Sequence, residues 1–165
     1  GYFHEAFLIT HDDPRVDLII GDGMKHIEEI ADGSYDVVFV NSTDPVGPAI
    51  PLFEEPFYRN IKRSLTEHGV LAAQIADYTF HTDHLIPVMK RLKKIYPLAA
   101  AYKSHVHMYP SSVWTFGLAT KGGSFELADE GRVTAIEQVT REWNRDNHAA
   151  SFALPNWLKK ALNNA

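Results

Sequence analysis

The sequence predicts an α/β sandwich with a largely parallel sheet. Strand-like and helix-like segments alternate from near the start of the chain, and strand-like stretches such as 35–40 and 70–75 are almost continuously apolar. Polar residues are also placed as such a sheet requires. Gly21-Asp22-Gly23, Asn41-Ser42-Thr43-Asp44, and Gln74 with Asp77 fall at the carboxyl ends of three predicted strands, where open α/β sheets hold ligands.

Arg15–Ile20 reads as the first strand, followed by the Gly21-Asp22-Gly23 turn and a short helix over Met24–Ala31. Tyr35–Val40 is the next strand. After an irregular Pro/Gly loop, Phe53, Phe57, Ile61 and Leu65 recur at helical spacing and predict a helix over Leu52–Thr66. Gly69 is expected to stop that helix in a left-handed conformation before strand Val70–Ile75. Thr82 or Asp83 is a candidate cap for a helix running to Ile95. Leu98–Val106 and Val113–Thr120 read as two strands joined by the Tyr109-Pro110 turn, and helices are predicted over Val133–Arg145 and Pro155–Leu162.

At 165 residues and 45% hydrophobic, the chain is long enough for one core, so 1–165 is read as a single domain. A net charge of −5 gives no electrostatic reason to expect nucleic acid, which is bound by Lys and Arg neutralising phosphates, but suits a small cationic substrate. No apolar run is long enough to span a bilayer and no signal-like amino terminus is present, so a soluble, unprocessed chain is expected. The absence of cysteine excludes disulfides and thiolate chemistry and fits a cytoplasmic protein.

Taken alone, each polar loop reads as turn and cap chemistry, because Asp, Asn and Gly serve those purposes everywhere. A longer pattern changes that. The segment 35–49, YDVVFVNSTDPVGPA, followed by Leu52-Phe53 and Phe57-Tyr58, closely resembles the signature of the spermidine synthase family of polyamine aminopropyltransferases. Further matches occur in the family's order at Asp13-Pro-Arg-Val16 with Gly21-Asp22-Gly23, at Gln74, at Tyr109-Pro110-Ser111 with Trp114 and Phe116, and at Phe152-Ala-Leu-Pro155.

The resemblance implies a Rossmann-like, methyltransferase-type sandwich and the transfer of an aminopropyl group from decarboxylated S-adenosylmethionine to putrescine or a related amine. The adenosyl compound would be a co-substrate, with no tightly bound cofactor, and a homodimer or higher homo-oligomer is expected. Such chemistry needs a base to deprotonate the ammonium group before its lone pair attacks the carbon beside sulfonium. By resemblance, Asp22 and Gly23 contact adenine, Asp44 helps hold the amine, and Gln74 and Tyr109 line the diamine pocket. Tyr109 is also a candidate catalytic residue, while Trp114 is expected to pack the pocket wall.

Three departures accompany the resemblance. The position of the family's general-base aspartate is Asn41, an amide with neither the charge nor the proton affinity of a base. A second acidic position is Ala76, for which neighbouring Asp77 is a candidate substitute. The family's glycine-rich nucleotide loop, the acidic ribose contact after its second strand, and its amino-terminal β-hairpin segment have no counterpart here. With those strands missing, Arg15–Ile20 is expected either to pair directly with Tyr35–Val40 through a right-handed crossover or to leave an edge for another chain. Activity is therefore expected to be weakened, and the rival reading is a non-catalytic polyamine-binding or regulatory homologue acting in an oligomer. A metal site built on His81 with His84 or on His105 with His107 has usable spacing but no third clustered ligand, so no metal is assigned. The basic run from Lys90 to Lys94 is read as a solvated helix face.

Overall fold

The structure is a computed structural model that describes residues 13–108, 113–127 and 129–163. Helix α1 (Gly23–Glu29) leads through a turn into strand β1 (Tyr35–Val40). A 3-10 helix over Gly47–Phe53 precedes α2 (Glu55–Ser64), β2 (Leu65–Ala76) and α3 (Thr82–Ile95). Strands β3 (Leu98–His105) and β4 (Val113–Thr120) follow, then α4 (Glu130–Val139), α5 (Arg145–Ser151) and α6 (Asn156–Asn163).

The strands form one sheet in the order β1-β2-β4-β3. β1 and β2 are parallel, whereas β4 runs antiparallel to both β2 and β3. The α/β layering is as expected, but parallel pairing is confined among the described strands to β1 with β2. The cause is the short β3-to-β4 connection, which reverses the chain as a hairpin does; a parallel pair needs a crossover, here supplied by α2.

Residues alternate between the two faces of the sheet. Leu71, Ala73, Ile75 and Ala119 point into a core closed by Ile61 of α2, by Leu85, Met89 and Leu92 of α3, and by Leu158 of α6, all of them fully buried or nearly so. Gly117 lies beneath α3, where a Cβ would come within 2.6 Å of Leu92 Cδ1. The opposite face carries Phe39, Ala72, Gln74, Phe116, Leu118 and Tyr102 in paired register. It is covered in part near β3 by α5, through the ring of Phe152 against Tyr102.

Several local expectations are corrected. Arg15–Ile20 forms no strand, pairs with nothing in the described sheet, and leaves Leu18, Ile19 and Ile20 exposed at 64, 61 and 92%. β1 remains at the sheet edge, so the direct crossover does not form; an extended segment has no ladder to join without a neighbouring strand. The helix expected over Leu52–Thr66 is divided because Glu54 is extended (φ −93°, ψ 159°) between Pro51 and Pro56. Gly69 is not the stop. It lies inside β2 without a positive φ, and its role is packing, since a Cβ there would meet Leu65 Cβ at 2.7 Å. His81, rather than Thr82 or Asp83, occupies the cap position of α3 and makes no side-chain capping bond. The helix expected over 133–145 breaks between α4 and α5, where the Thr140 hydroxyl donates to the carbonyls of Ile136 and Trp143 and Asn144 caps α5 by accepting from the Asn147 N–H. The basic run lies on an exposed helix face as expected, and within it Arg91 reaches Glu54, Lys93 donates to the Leu162 carbonyl, and Lys94 reaches Glu55.

Candidate functional site

Because β1 and β2 are parallel, their carboxyl ends lie side by side, with Val40 paired to Ala73. One residue further on, Asn41 and Gln74 line the same cleft of about 380 Å³, a size suited to a small ligand. Its walls are largely apolar: Phe39 and Ala72 on one side, Trp114 and Phe116 of β4 on another, and Tyr102, Val106 and Met108 from β3 and beyond. The sheet register places Gln74 opposite Phe116 and Phe116 opposite Tyr102, so these three side chains form a row across three strands. Tyr102 stacks on Phe116 with ring centroids 5.2 Å apart, and burial raises its phenol above the usual tyrosine range. That phenol stays neutral near pH 7, so it is a wall and a hydrogen-bonding group rather than a base.

The remaining sequence-predicted residues are distributed around this cleft. Asp44 is exposed in the loop between β1 and the 3-10 helix, where its carbonyl accepts from the Val46 N–H at 2.7 Å. Gly47 turns that loop at φ 56°, a conformation that a side chain would strain, and Pro48 follows inside the 3-10 helix. Asp22 caps α1, its Oδ1 accepting from the N–H of Met24 at 2.8 Å and of Lys25 at 3.4 Å, and Gly23 is the first helical residue. Neither Asp22 nor Asp44 lines the Asn41 cleft. Trp114 is buried in the cleft wall, as expected. Tyr109, the other predicted pocket residue, lies outside the described residues.

Asp77 does not replace the acidic group missing at Ala76. It is 3% exposed, and its Oδ1 accepts from the N–H groups of Thr79 at 2.5 Å and Phe80 at 3.0 Å, closing the turn that leads into α3. Among the described residues no group of three His, Asp or Glu side chains is placed to hold a metal. His81 stacks on His84 and His105 on His107, at 6.2 and 6.5 Å between centroids.

Phe39, Tyr102, Val106 and Met108 were not singled out from the sequence. The signal for Phe39 is present, because strand alternation places it on the face opposite Val38 and Val40. Tyr102 is found only through the β3–β4 register, which depends on how the hairpin closes.

An amide and a glutamine at the ends of two adjacent parallel strands, facing an apolar cleft, define a ligand-binding α/β domain of the kind that takes small molecules at its strand ends. The fold is the Rossmann-like, methyltransferase-type fold of spermidine synthases. The chain is similar to the structure of a spermidine synthase in complex with the transition-state analogue AdoDATO, with a TM-score of 0.88, 29% identity and coverage of 99% of this chain and 58% of that one. A spermidine synthase from Thermotoga maritima gives a TM-score of 0.85 at 29% identity, covering 99% of this chain and 57% of that one. The spermine/spermidine synthase domain matches residues 2–129, and the chain belongs to that family. It is 38% identical to a polyamine aminopropyltransferase of Bacillus mycoides over 147 residues, which are 89% of this chain and 52% of that protein. Against the polyamine aminopropyltransferase of Bacillus subtilis it is 37% identical over 151 residues, 92% of this chain and 54% of that one. The chain thus spans about half the length of the curated relatives it matches.

Proposed function

We propose that this chain carries the amine-binding side of a polyamine aminopropyltransferase and that Asn41 slows its chemistry. The reaction moves an aminopropyl group from decarboxylated S-adenosylmethionine to putrescine or a related amine and releases methylthioadenosine. The observation that carries the reading is the shared cleft of Asn41 and Gln74 at the ends of β1 and β2, in a chain of this family. Gln74 offers a carbonyl oxygen to an ammonium group, and apolar walls suit the methylene chain between two ammonium groups. By the family resemblance Asp44 is assigned to holding the amine, Tyr109 to the amine and to catalysis, and Asp22 with Gly23 to the adenine. The adenosyl compound acts as a co-substrate rather than a resident cofactor.

Asn41 accepts a hydrogen bond from an ammonium group but does not take its proton, so assistance worth about 10²- to 10⁴-fold in rate is lost while binding survives. The chain acts in the cytoplasm, as the absence of cysteine fits, and forms a homodimer or higher homo-oligomer. A second reading, a non-catalytic polyamine-binding or regulatory homologue, is favoured by the same Asn41.

Calorimetric titration with putrescine, spermidine and methylthioadenosine tests the amine site. Amine binding that is lost in Gln74→Leu and weakened in Asp44→Asn is expected; amine binding indifferent to both variants overturns the assignment. Nucleoside binding in the same experiment favours the enzyme, and polyamine binding without it favours the regulatory homologue.

A further inference from the structure

The net charge of −5 is unevenly distributed over the fold. Helix α2 carries Arg59, Lys62 and Arg63 against one acid, Glu55. Helix α3 carries Lys90, Arg91, Lys93 and Lys94 against Asp83, and α6 adds Lys159 and Lys160 with no acid. These three helices thus hold nine of the chain's 16 lysines and arginines but two of its 21 acids, a local charge of +7. They are neighbours: Lys62 Nζ reaches the Ile95 carbonyl at the end of α3, and Lys93 Nζ reaches the Leu162 carbonyl near the end of α6, both at 2.5 Å. With adjacent helices spaced about 8–10 Å apart, the basic field is about 20 Å wide.

Part of this pattern is local. Cations in the last turn of a helix complement its dipole, which accounts for Lys62, Arg63, Lys93, Lys94 and Lys160. It does not account for Lys90 and Lys159, nor for the scarcity of acids, since a helix face that only needs solvation usually mixes both signs. The arginines are already committed: Arg91 to Glu54, Arg59 to Glu55, and Arg63 to Asp32 and to the carbonyls of α1. Among the described residues Lys90, Lys159 and Lys160 are exposed and have no ion pair or hydrogen bond, and Lys62 and Lys93 donate to carbonyls, which leave their charge uncancelled. The layer packs on the sheet face that the chain itself closes, through Ile61, Leu85, Met89, Leu92 and Leu158. Its outer side is therefore independent of whatever covers the open face that carries Phe39.

We infer that the outer face of α2, α3 and α6 docks on the phosphate backbone of a double-stranded nucleic acid without reading its bases. Uncancelled lysines suit such a backbone, because each phosphate they neutralise releases condensed counterions. Lysine is a point charge that fits phosphate but lacks the guanidinium fork that reads guanine edges. The lysines are spread over three helices rather than gathered round a pocket, which matches a regular lattice of one charge per about 1.7 Å of duplex axis. A single strand would need aromatic platforms under its bases, and a membrane would need apolar side chains to insert. Trp157, at 49%, is the one large apolar residue exposed on these helices. None of the three helices lines the Asn41 cleft, so the surface stands apart from the proposed amine site.

The test is fluorescence anisotropy of a labelled RNA duplex and a labelled DNA duplex, each titrated with the full chain over a salt series from about 50 to 200 mM. Lys90→Gln/Lys159→Gln/Lys160→Gln, which removes no ion pair or hydrogen bond among the described residues, is compared with Lys25→Gln/Arg132→Gln/Arg141→Gln, which changes the net charge equally off this face. The expected result is binding of both duplexes, with log K falling against log salt at a slope of about −4.5, as the five uncancelled lysines require. The lysine variant should reduce that slope to about −2, and the control should leave it unchanged. No binding of either duplex at the lowest salt, a slope that the lysine variant does not alter, or an equal reduction in the control, which marks net charge alone, overturns the inference. So does stronger competition by poly-glutamate or by phosphatidylserine vesicles than by unlabelled duplex, which reassigns the face to an acidic protein or to a membrane.

Discussion

Arg63 offers a test of how the fold positions the loop that carries Asp22. Its guanidinium, extended from α2, donates to the carbonyls of Ile30 at 2.7 Å, Ile27 at 2.9 Å and Glu28 at 3.0 Å, and pairs with Asp32 at 2.5 Å. The carboxyl end of α1 is thereby satisfied by a cation, which also suits the helix dipole. Because α1 is only seven residues long, it has little intrinsic stability. Arg63→Met keeps the aliphatic stem and removes every donor. The bonds to Ile27 and Ile30 are partly buried and contribute about 1 kcal/mol each, whereas the exposed Glu28 bond and Asp32 pair contribute about 0.5 kcal/mol each, because water replaces them. The expected loss is therefore about 3 kcal/mol, or about 6 to 12 °C in melting temperature for a chain of this size. Urea denaturation gives the global value, and hydrogen exchange at the α1 amides reports local opening. Arg63→Lys should recover about a third. A shift below 0.5 kcal/mol with unchanged α1 exchange refutes the reasoning.

Removing the Asp22 carboxylate in Asp22→Ala should cost about 0.5 to 2 kcal/mol through the lost cap of α1, measured by the same denaturation; full stability would show that the cap contributes nothing. Gly117→Ala places a methyl group against Leu92 and Ile75 and should destabilise by about 1 to 3 kcal/mol. The charge clamp between α2 and α3 has a sign in pH. The hydrogen bonds of Lys94 and then Arg59 lower the pKa of Glu55, so its contribution is present above the unfolded carboxylate pKa and disappears as pH falls through the lower folded value. The stability difference between wild type and Glu55→Gln should therefore shrink as acid is added below about pH 4; a difference that grows in acid contradicts the pairing.

Much of this architecture was legible in local pattern. β1 and β4 fall where apolar runs place them, and α3 ends at Ile95 as expected, although it starts at Thr82 rather than after it. Failures arose where a segment depends on its neighbours. Arg15–Ile20 has the composition of a strand but no partner to ladder with. Gly69 reads as a helix stop, yet it is required by the approach of Leu65 inside a strand. At the site, Asn41 and Gln74 were reachable because one directly follows β1 and the other lies two residues from the end of β2. Tyr102 was not, since its role comes from the β3–β4 register. Asp77 looked like a spare acid by adjacency, but its carboxylate is already occupied by the turn it closes.

The central claim is that the amine side is in place and the proton acceptor is absent. Methylthioadenosine release, measured with putrescine and decarboxylated S-adenosylmethionine for the wild-type chain and for Asn41→Asp, tests it most directly. The account predicts that the aspartate variant is faster by about 10²- to 10⁴-fold, with putrescine affinity changed only a few-fold. Equal, measurable rates in the two proteins would contradict it, whereas no release from either would place the limit at the nucleotide side and not at residue 41.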